Sequence, residues 1–386
     1  MDWNLISIIV FYILIALFFI KNRRRIDRQG IFILYRTQRG LNLLARLAEK
    51  HKRFWKAFGK VSIYVGFGGI IFILAILTRQ AIKILTEPAI KAGVALAIPG
   101  VRVPGSPIFI PFWYGIISLI IVLVVHEGCH GLVAKAHGLK LKSAGVGLLT
   151  LLPLAFVEPD EKQLDKAPLK TRLAVFGAGP LANFTTALVV LLLSALIVPV
   201  VNASFEFKGM EVTEVREGFP AEQAGLTPGN RIIGVNGKSS LNSINFSGEM
   251  DKVKPGETVI IKTEEGNFSV TTISNPENES QPYLGVTFLQ KKGLKDDVYS
   301  RFGKLPWIWA YLLQLFNWIF ILNLGIGAIN LLPLGPIDGG RMIKDTLGEK
   351  LKNKKLAKQL VTTLSYASLF LLIVNILGPY FMSAGL

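Results

Sequence analysis

Val124-Val125-His126-Glu127-Gly128-Cys129-His130 closes an apolar run, Ile108 to Val125, that carries no charge. Two histidines four residues apart stand one turn apart on the same helix face, so both imidazoles can reach one metal ion. The glutamate beside the first histidine is placed to take a proton from water held at that metal. This is the His-Glu-x-x-His arrangement of metal-dependent peptide hydrolysis. Here the helix that carries it reads as membrane-spanning. Two imidazoles and a carboxylate inside hydrocarbon are costly, so their default reading is functional.

A catalytic zinc takes three protein ligands and keeps a fourth position open. Glu158 and Glu161 are candidates for the third by their distance in sequence, but they follow an apolar segment and sit in a charged stretch. Asp338 is the stronger candidate. It ends an inward-running span, at a depth similar to that of His126 and His130, with Pro333 and Pro336 before it and Gly339-Gly340 after it. The plainer alternative for Asp338 is a helix cap or a pair with Arg341. Cys129, the single cysteine, lies three residues after His126 and reads as a small buried packing residue rather than a thiolate ligand. His137 reads as solvated in a basic loop, and His51 as part of an interfacial helix face.

These residues need a membrane scaffold to position them. The 386-residue chain is 51% hydrophobic, with mean hydropathy +0.46, too apolar over this length for a soluble globular protein. Its net charge of +17 is clustered. Lys21 to Lys60 holds thirteen Lys and Arg against two acids, and Arg341 to Lys358 seven against two. Basic clusters that flank apolar spans mark cytoplasmic loops; nucleic acid is excluded as a partner. One cysteine permits no intramolecular disulfide.

The apolar runs predict about six transmembrane helices, at Trp3–Ile20, Val61–Leu77, Phe112 onward, Leu173–Val201, Trp307–Leu332 and Leu360–Leu377. The N-terminal run reads as a retained span. Residues 31–58 read as a helix on the cytoplasmic membrane face, with Leu44, Leu47, His51, Phe54 and Phe58 at helical spacing. Residues 86–111, with Pro99, Pro104 and Pro107, read as a broken external loop. Ala144 to Val157 is too short to span and reads as a re-entrant segment beside the site. From Phe112 to His126 is roughly 21 Å of helix, which places the histidines on the cytoplasmic side of the midplane.

Composition changes at Asn202 to polar turns and short β-branched runs, up to about Lys292. Gly218-Phe219-Pro220-Ala221-Glu222-Gln223-Ala224-Gly225-Leu226, Pro228-Gly229-Asn230-Arg231-Ile232-Ile233 and Val235-Asn236-Gly237 resemble a PDZ domain. Such domains accept an extended peptide on a sheet edge; a rigid filter that excludes bulky proteins is the other reading. The expected organisation is 1–60, a first span and basic amphipathic segment; 61–201, the first part of a catalytic membrane domain; 202–292, an extracytoplasmic PDZ domain; and 293–386, the second part of the membrane domain. The fold class is thus a polytopic α-helical membrane protein with one inserted soluble PDZ-like α/β domain, in the plasma membrane.

Taken in order, five motifs resemble the site-2 protease family of intramembrane zinc metalloproteases. They are His126-Glu127-Gly128-Cys129-His130, Ala155-Phe156-Val157-Glu158-Pro159-Asp160, Gly179-Pro180-Leu181-Ala182-Asn183, the PDZ insert, and Asn330-x-x-Pro333 through Asp338-Gly339. The resemblance covers about residues 60–386. It implies one zinc ion held by His126, His130 and Asp338, with Glu127 as general base. It also implies substrate contacts from Asn183 and Asn330. The implied partners are a transmembrane protein substrate, already trimmed by another protease, and the lipid bilayer. An inactive scaffold that binds partners through its PDZ domain is the alternative, against which the intact His126, Glu127, His130 and Asp338 argue. A metal transporter would need a chain of ligands through the membrane, and four histidines and one cysteine do not supply it.

Overall fold

The structure, a computed structural model, describes all residues except 1–2, 31, 39, 88–93, 95–97, 104–107, 151, 277 and 384–386. Much of the loop expected at 86–111 therefore lies outside the described residues. The chain divides into two compact units, residues 1–194 with 313–386, and residues 195–312.

Among the described residues, six helices are long and apolar enough to cross a membrane. They belong to α1 (Trp3–Lys21), α3 (Lys52–Thr86), α4 (Phe112–Ala136), α6 (Leu169–Ser204), α10 (Trp307–Asn330) and α12 (Lys354–Ser383). Shorter helices in the first unit are α2 (Leu41–Lys50), α5 (Glu161–Lys166) and α11 (Asp338–Lys350). Half of the most apolar window of α4 is buried, against 22% or less for the other five, so the histidine-bearing helix is the innermost. Small residues let the helices close on one another. A Cβ on Gly177 of α6 would lie 2.5 Å from the Ser62 carbonyl oxygen of α3, and the Ser62 hydroxyl donates to Ala174 O at 3.0 Å. Asn375 of α12 donates to Leu77 O of α3 at 3.0 Å. Buried polar groups thus find backbone acceptors where no water is at hand.

One expectation is corrected. Residues 31–58 are not one interfacial helix: β1 (Ile26–Gln29) and β2 (Phe32–Thr37) form a hairpin before α2 and α3, which break at His51. The segment 144–157, expected as a re-entrant stretch beside the site, is a β-hairpin. It forms β3 (Leu141–Leu149) and β4 (Leu152–Pro159), an antiparallel pair that joins β2 in a sheet of order β1-β2-β3-β4. Both hairpins escape a local reading for one reason. Apolar residues at most positions of β3 and β4 hide the period-2 alternation from which a strand is read, and the pairing of β2 with β3 joins distant parts of the chain that no local window holds. Pairing also satisfies the backbone groups that a re-entrant coil would leave bare. His137 is corrected as well: it is half-buried, and its Nδ1 lies 2.9 Å from Val133 O.

The second unit carries β5 (Phe205–Val215), α7 (Pro220–Gln223), β6 (Arg231–Val235), β7 (Lys238–Ser239), α8 (Ser243–Met250), β8 (Thr258–Thr263), β9 (Asn267–Thr271), β10 (Ile273–Asn275), β11 (Asn278–Tyr283), β12 (Val286–Leu294) and α9 (Asp296–Phe302). Its main sheet runs β12-β5-β6-β8-β9, with β7 on β6. In β8, Val259 and Ile261 point inward and alternate with exposed neighbours, the period of a half-buried strand. They pack with Met210, Ile232 and Val270, and with Phe246 and Met250 of α8, in one core. Asn236 and Gly237, both at positive φ, close the tight turn from β6 to β7. The molecule is a polytopic helical protein with an inserted PDZ-like α/β domain.

Candidate active site

α4 presents His126 and His130 on one face, with their ring centroids 4.8 Å apart. α10 ends at Asn330, and the loop containing Pro333 and Pro336 turns the chain into α11, whose first residue is Asp338. This turn is tight: a Cβ on Gly340 would run into the Leu334 carbonyl. Asp338 Oδ2 lies 3.2 Å from His126 Nε2 and 3.4 Å from His130 Nε2. The ligand atoms of these three residues all lie within 4.8 Å of one another. Asp338 is not paired with Arg341, whose guanidinium lies over the Phe176 ring, 5.7 Å from its centroid.

This donor set fits a cation. Asp338 Oδ2 is buried with no hydrogen-bond partner among the described residues, yet two imidazole nitrogens converge on it. A buried polar atom left in this way calls for an explanation, and a bound ion is a direct one. Burial alone would raise the Asp338 carboxyl; the adjoining imidazoles of His130 and His126 outweigh it and hold the carboxyl below its ordinary range. Two imidazole nitrogens and a carboxylate oxygen are ligands zinc accepts, and three of them leave a position free.

α6 closes the site from behind. A Cβ on Gly179 would strike His130 Nε2 and would lie 2.7 Å from His126 Cε1, so only glycine lets this helix come so near. His130 Nδ1 lies 2.6 Å from Val175 O, and the amide of Asn183 lies 3.0 Å from His126 Nδ1. Glu127 is half-buried, and its Oε2 accepts from the Val157 N–H of β4 at 3.3 Å.

A cavity of about 490 Å³ opens in front of the histidines; Arg36, Glu127, Phe156, Glu158, Asn330 and Arg341 are among its walls. Asn330 thus faces the cavity, whereas Asn183 is fully buried behind His126. Glu158 is engaged elsewhere, accepting from Arg36 and, at 2.6 Å, from the Ser143 hydroxyl. Glu161 heads α5, outside the metal cluster, and Cys129 packs in the core beside Val133 and Ala174. Sequence reading missed Arg36, Val175 O and the Val157 N–H. The last two are backbone atoms that no side-chain pattern reveals; Arg36 left a faint signal as a charge directly after the apolar residues of β2.

Residues 114–374 match Peptidase family M50, the site-2 protease family. The chain belongs to that family. An uncharacterized protein of Methanocaldococcus jannaschii is 31% identical over 91% of this chain and 87% of its own length. Zinc metalloprotease RasP of Shouchella clausii is 27% identical over 48% of this chain and 53% of its own. A putative zinc metalloprotease of Staphylococcus aureus is 24% identical over 58% and 62%. The chain thus spans between half and two thirds of these two zinc metalloproteases. The PDZ domain of an SdrC-like protein from Listeria monocytogenes aligns with 24% of this chain and 95% of its own, at 24% identity and a TM-score of 0.19. A multi-pass membrane metalloprotease of family M50 uses zinc, and His126, His130 and Asp338 can hold it.

Proposed function

We propose that this M50 protein is an intramembrane endopeptidase that cuts within or near a transmembrane segment of another membrane protein. The convergence of Asp338 on His126 and His130, which with Glu127 lie on a helix long and apolar enough to span a membrane, carries the reading. When bound, zinc polarises the scissile carbonyl and lowers the pKa of water towards about 7. Glu127 takes the proton of the attacking water and returns it to the leaving amine. Asn330, on the cavity wall, is placed to meet the substrate backbone. A scissile peptide inside a helix has its carbonyl already hydrogen-bonded, so the substrate must unwind first. β4 ends its sheet and lines the cavity through Phe156 to Pro159, which supports an extended substrate held along its edge. The test uses the detergent-purified protein and a membrane-spanning peptide. We expect cleavage that a zinc chelator stops and added zinc restores; cleavage indifferent to the chelator would refute the reading.

The basic clusters at 21–60 and 341–358 support a cytoplasmic location for both, with the PDZ-like domain on the opposite side of the plasma membrane. In a Cys129→Ala background, an impermeant thiol reagent on intact cells should label a cysteine placed in the PDZ-like domain. Labelling at 341–358 instead would reverse the topology.

The PDZ-like domain offers a groove of about 320 Å³ between Phe246 and Met250 of α8, the Tyr283–Val286 turn and Phe288 of β12, and β12 ends its sheet. That supports capture of an extended chain end over pure exclusion. In this reading the domain admits substrates only after another protease has trimmed them. Replacing residues 205–294 with a Gly/Ser linker should leave cleavage of a short membrane peptide intact and permit cutting of a substrate with a folded external domain. Loss of short-peptide cleavage in a protein that still holds zinc would make the domain part of the catalytic machinery instead.

A further inference from the structure

Asn183 sits in the middle of α6 with none of its surface exposed. Its amide makes one side-chain hydrogen bond among the described residues, at 3.0 Å, to His126 Nδ1; its Oδ1 has no partner. A primary amide buried in an apolar span is costly unless its groups are paired. The one pairing it has is with the ring that turns its other nitrogen, Nε2, towards Asp338. His130 is held in the same way, by Val175 O on its Nδ1. Val175, Gly179 and Asn183 recur every four residues on α6. One helix face therefore supplies a support for the first ring, room for both, and a support for the second.

We infer that Asn183 is a positioning residue for the metal site rather than a substrate contact: it fixes the ring orientation and tautomer of His126. This rests on the metal-site reading above. For His126 to give the Nε2 lone pair to a metal, the ring proton must be on Nδ1, and that N–H needs an acceptor. The carboxamide meets this need with its oxygen turned to the ring, an orientation reached by a half-turn that exchanges the places of Oδ1 and Nδ2. Partners of this kind behind metal-bound histidines are worth about 10–100-fold in metal affinity. The family resemblance placed Asn183 against the substrate. Its burial behind the ring, away from the walls of the cavity, argues for the other side of the histidine.

The two roles demand opposite chemistry, which makes them separable. Support of His126 needs an acceptor, so Asn183→Asp should keep zinc affinity near that of the wild type. Asn183→Ala and Asn183→Leu should weaken it about 10–100-fold, read as the shift in competition against a chromophoric chelator in detergent. In the zinc-loaded wild type, nitrogen-15 spectra of labelled histidine should show the His126 proton on Nδ1. A substrate contact needs a donor instead. If Asn183→Ala kept full zinc affinity and lost only turnover, or if Asn183→Asp lost turnover while Asn183→Ala kept it, the inference would be overturned. A His126 proton found on Nε2 in the zinc-loaded protein would overturn it too. Failure of the wild type to bind zinc would instead remove the metal-site reading, and this inference with it.

Discussion

Glu127→Gln leaves zinc content whole and lowers peptide cleavage by at least about 100-fold, the usual scale for loss of a general base. Glutamine has the shape of glutamate, and its amide oxygen can still accept from the Val157 N–H that holds Glu127 now. The substitution removes basicity while leaving the position filled. Glu127 is not among the residues whose ligand atoms converge, so zinc has no reason to leave. Metal analysis of the purified variant, beside cleavage of a membrane-spanning peptide, checks both halves. Activity within tenfold of wild type would show that another group takes the proton. Glu158 is an alternative in the cavity wall, although Arg36 and Ser143 already engage its carboxylate.

Asp338→Ala removes the carboxylate that, alone among the described residues, meets both imidazoles, and should abolish both zinc retention and cleavage. The two histidines that remain are neutral ligands from a single helix, one short of the three that a catalytic zinc uses. The expected variant is folded and inert, because the backbone turn that brings α11 to α4 depends on Gly340 and the proline loop rather than on the Asp338 side chain. Thermal unfolding in detergent, read beside zinc content, separates loss of metal from loss of fold. A stable variant that kept stoichiometric zinc would return the search for the third ligand to Glu158 and Glu161.

The sequence by itself determined the spans, the chemistry and the residues worth watching. Long uncharged runs between basic clusters can only be read as membrane helices, because a bilayer imposes a length and an apolar composition that show in any window. The spacing of His126 and His130 is a local fact of helix geometry. PDZ-like character was legible in a run of turn residues, which act over three or four positions. The tertiary structure decided what depends on distance. Asp338 lies over 200 residues from His126, and its sequence left ligand, cap and ion pair open; the turn from α10 into α11 brings it to 3.2 Å from the imidazole. The sheet β1 to β4 went unread because the pairing that joins its two hairpins links residues 32–37 to 144–149, and apolar residues at most positions of β3 and β4 mask the alternation. The position of Asn183 was likewise undecided. A polar residue in an apolar helix announces that it needs a partner, but only the approach of α6, allowed by Gly179, shows that the partner is the back of His126.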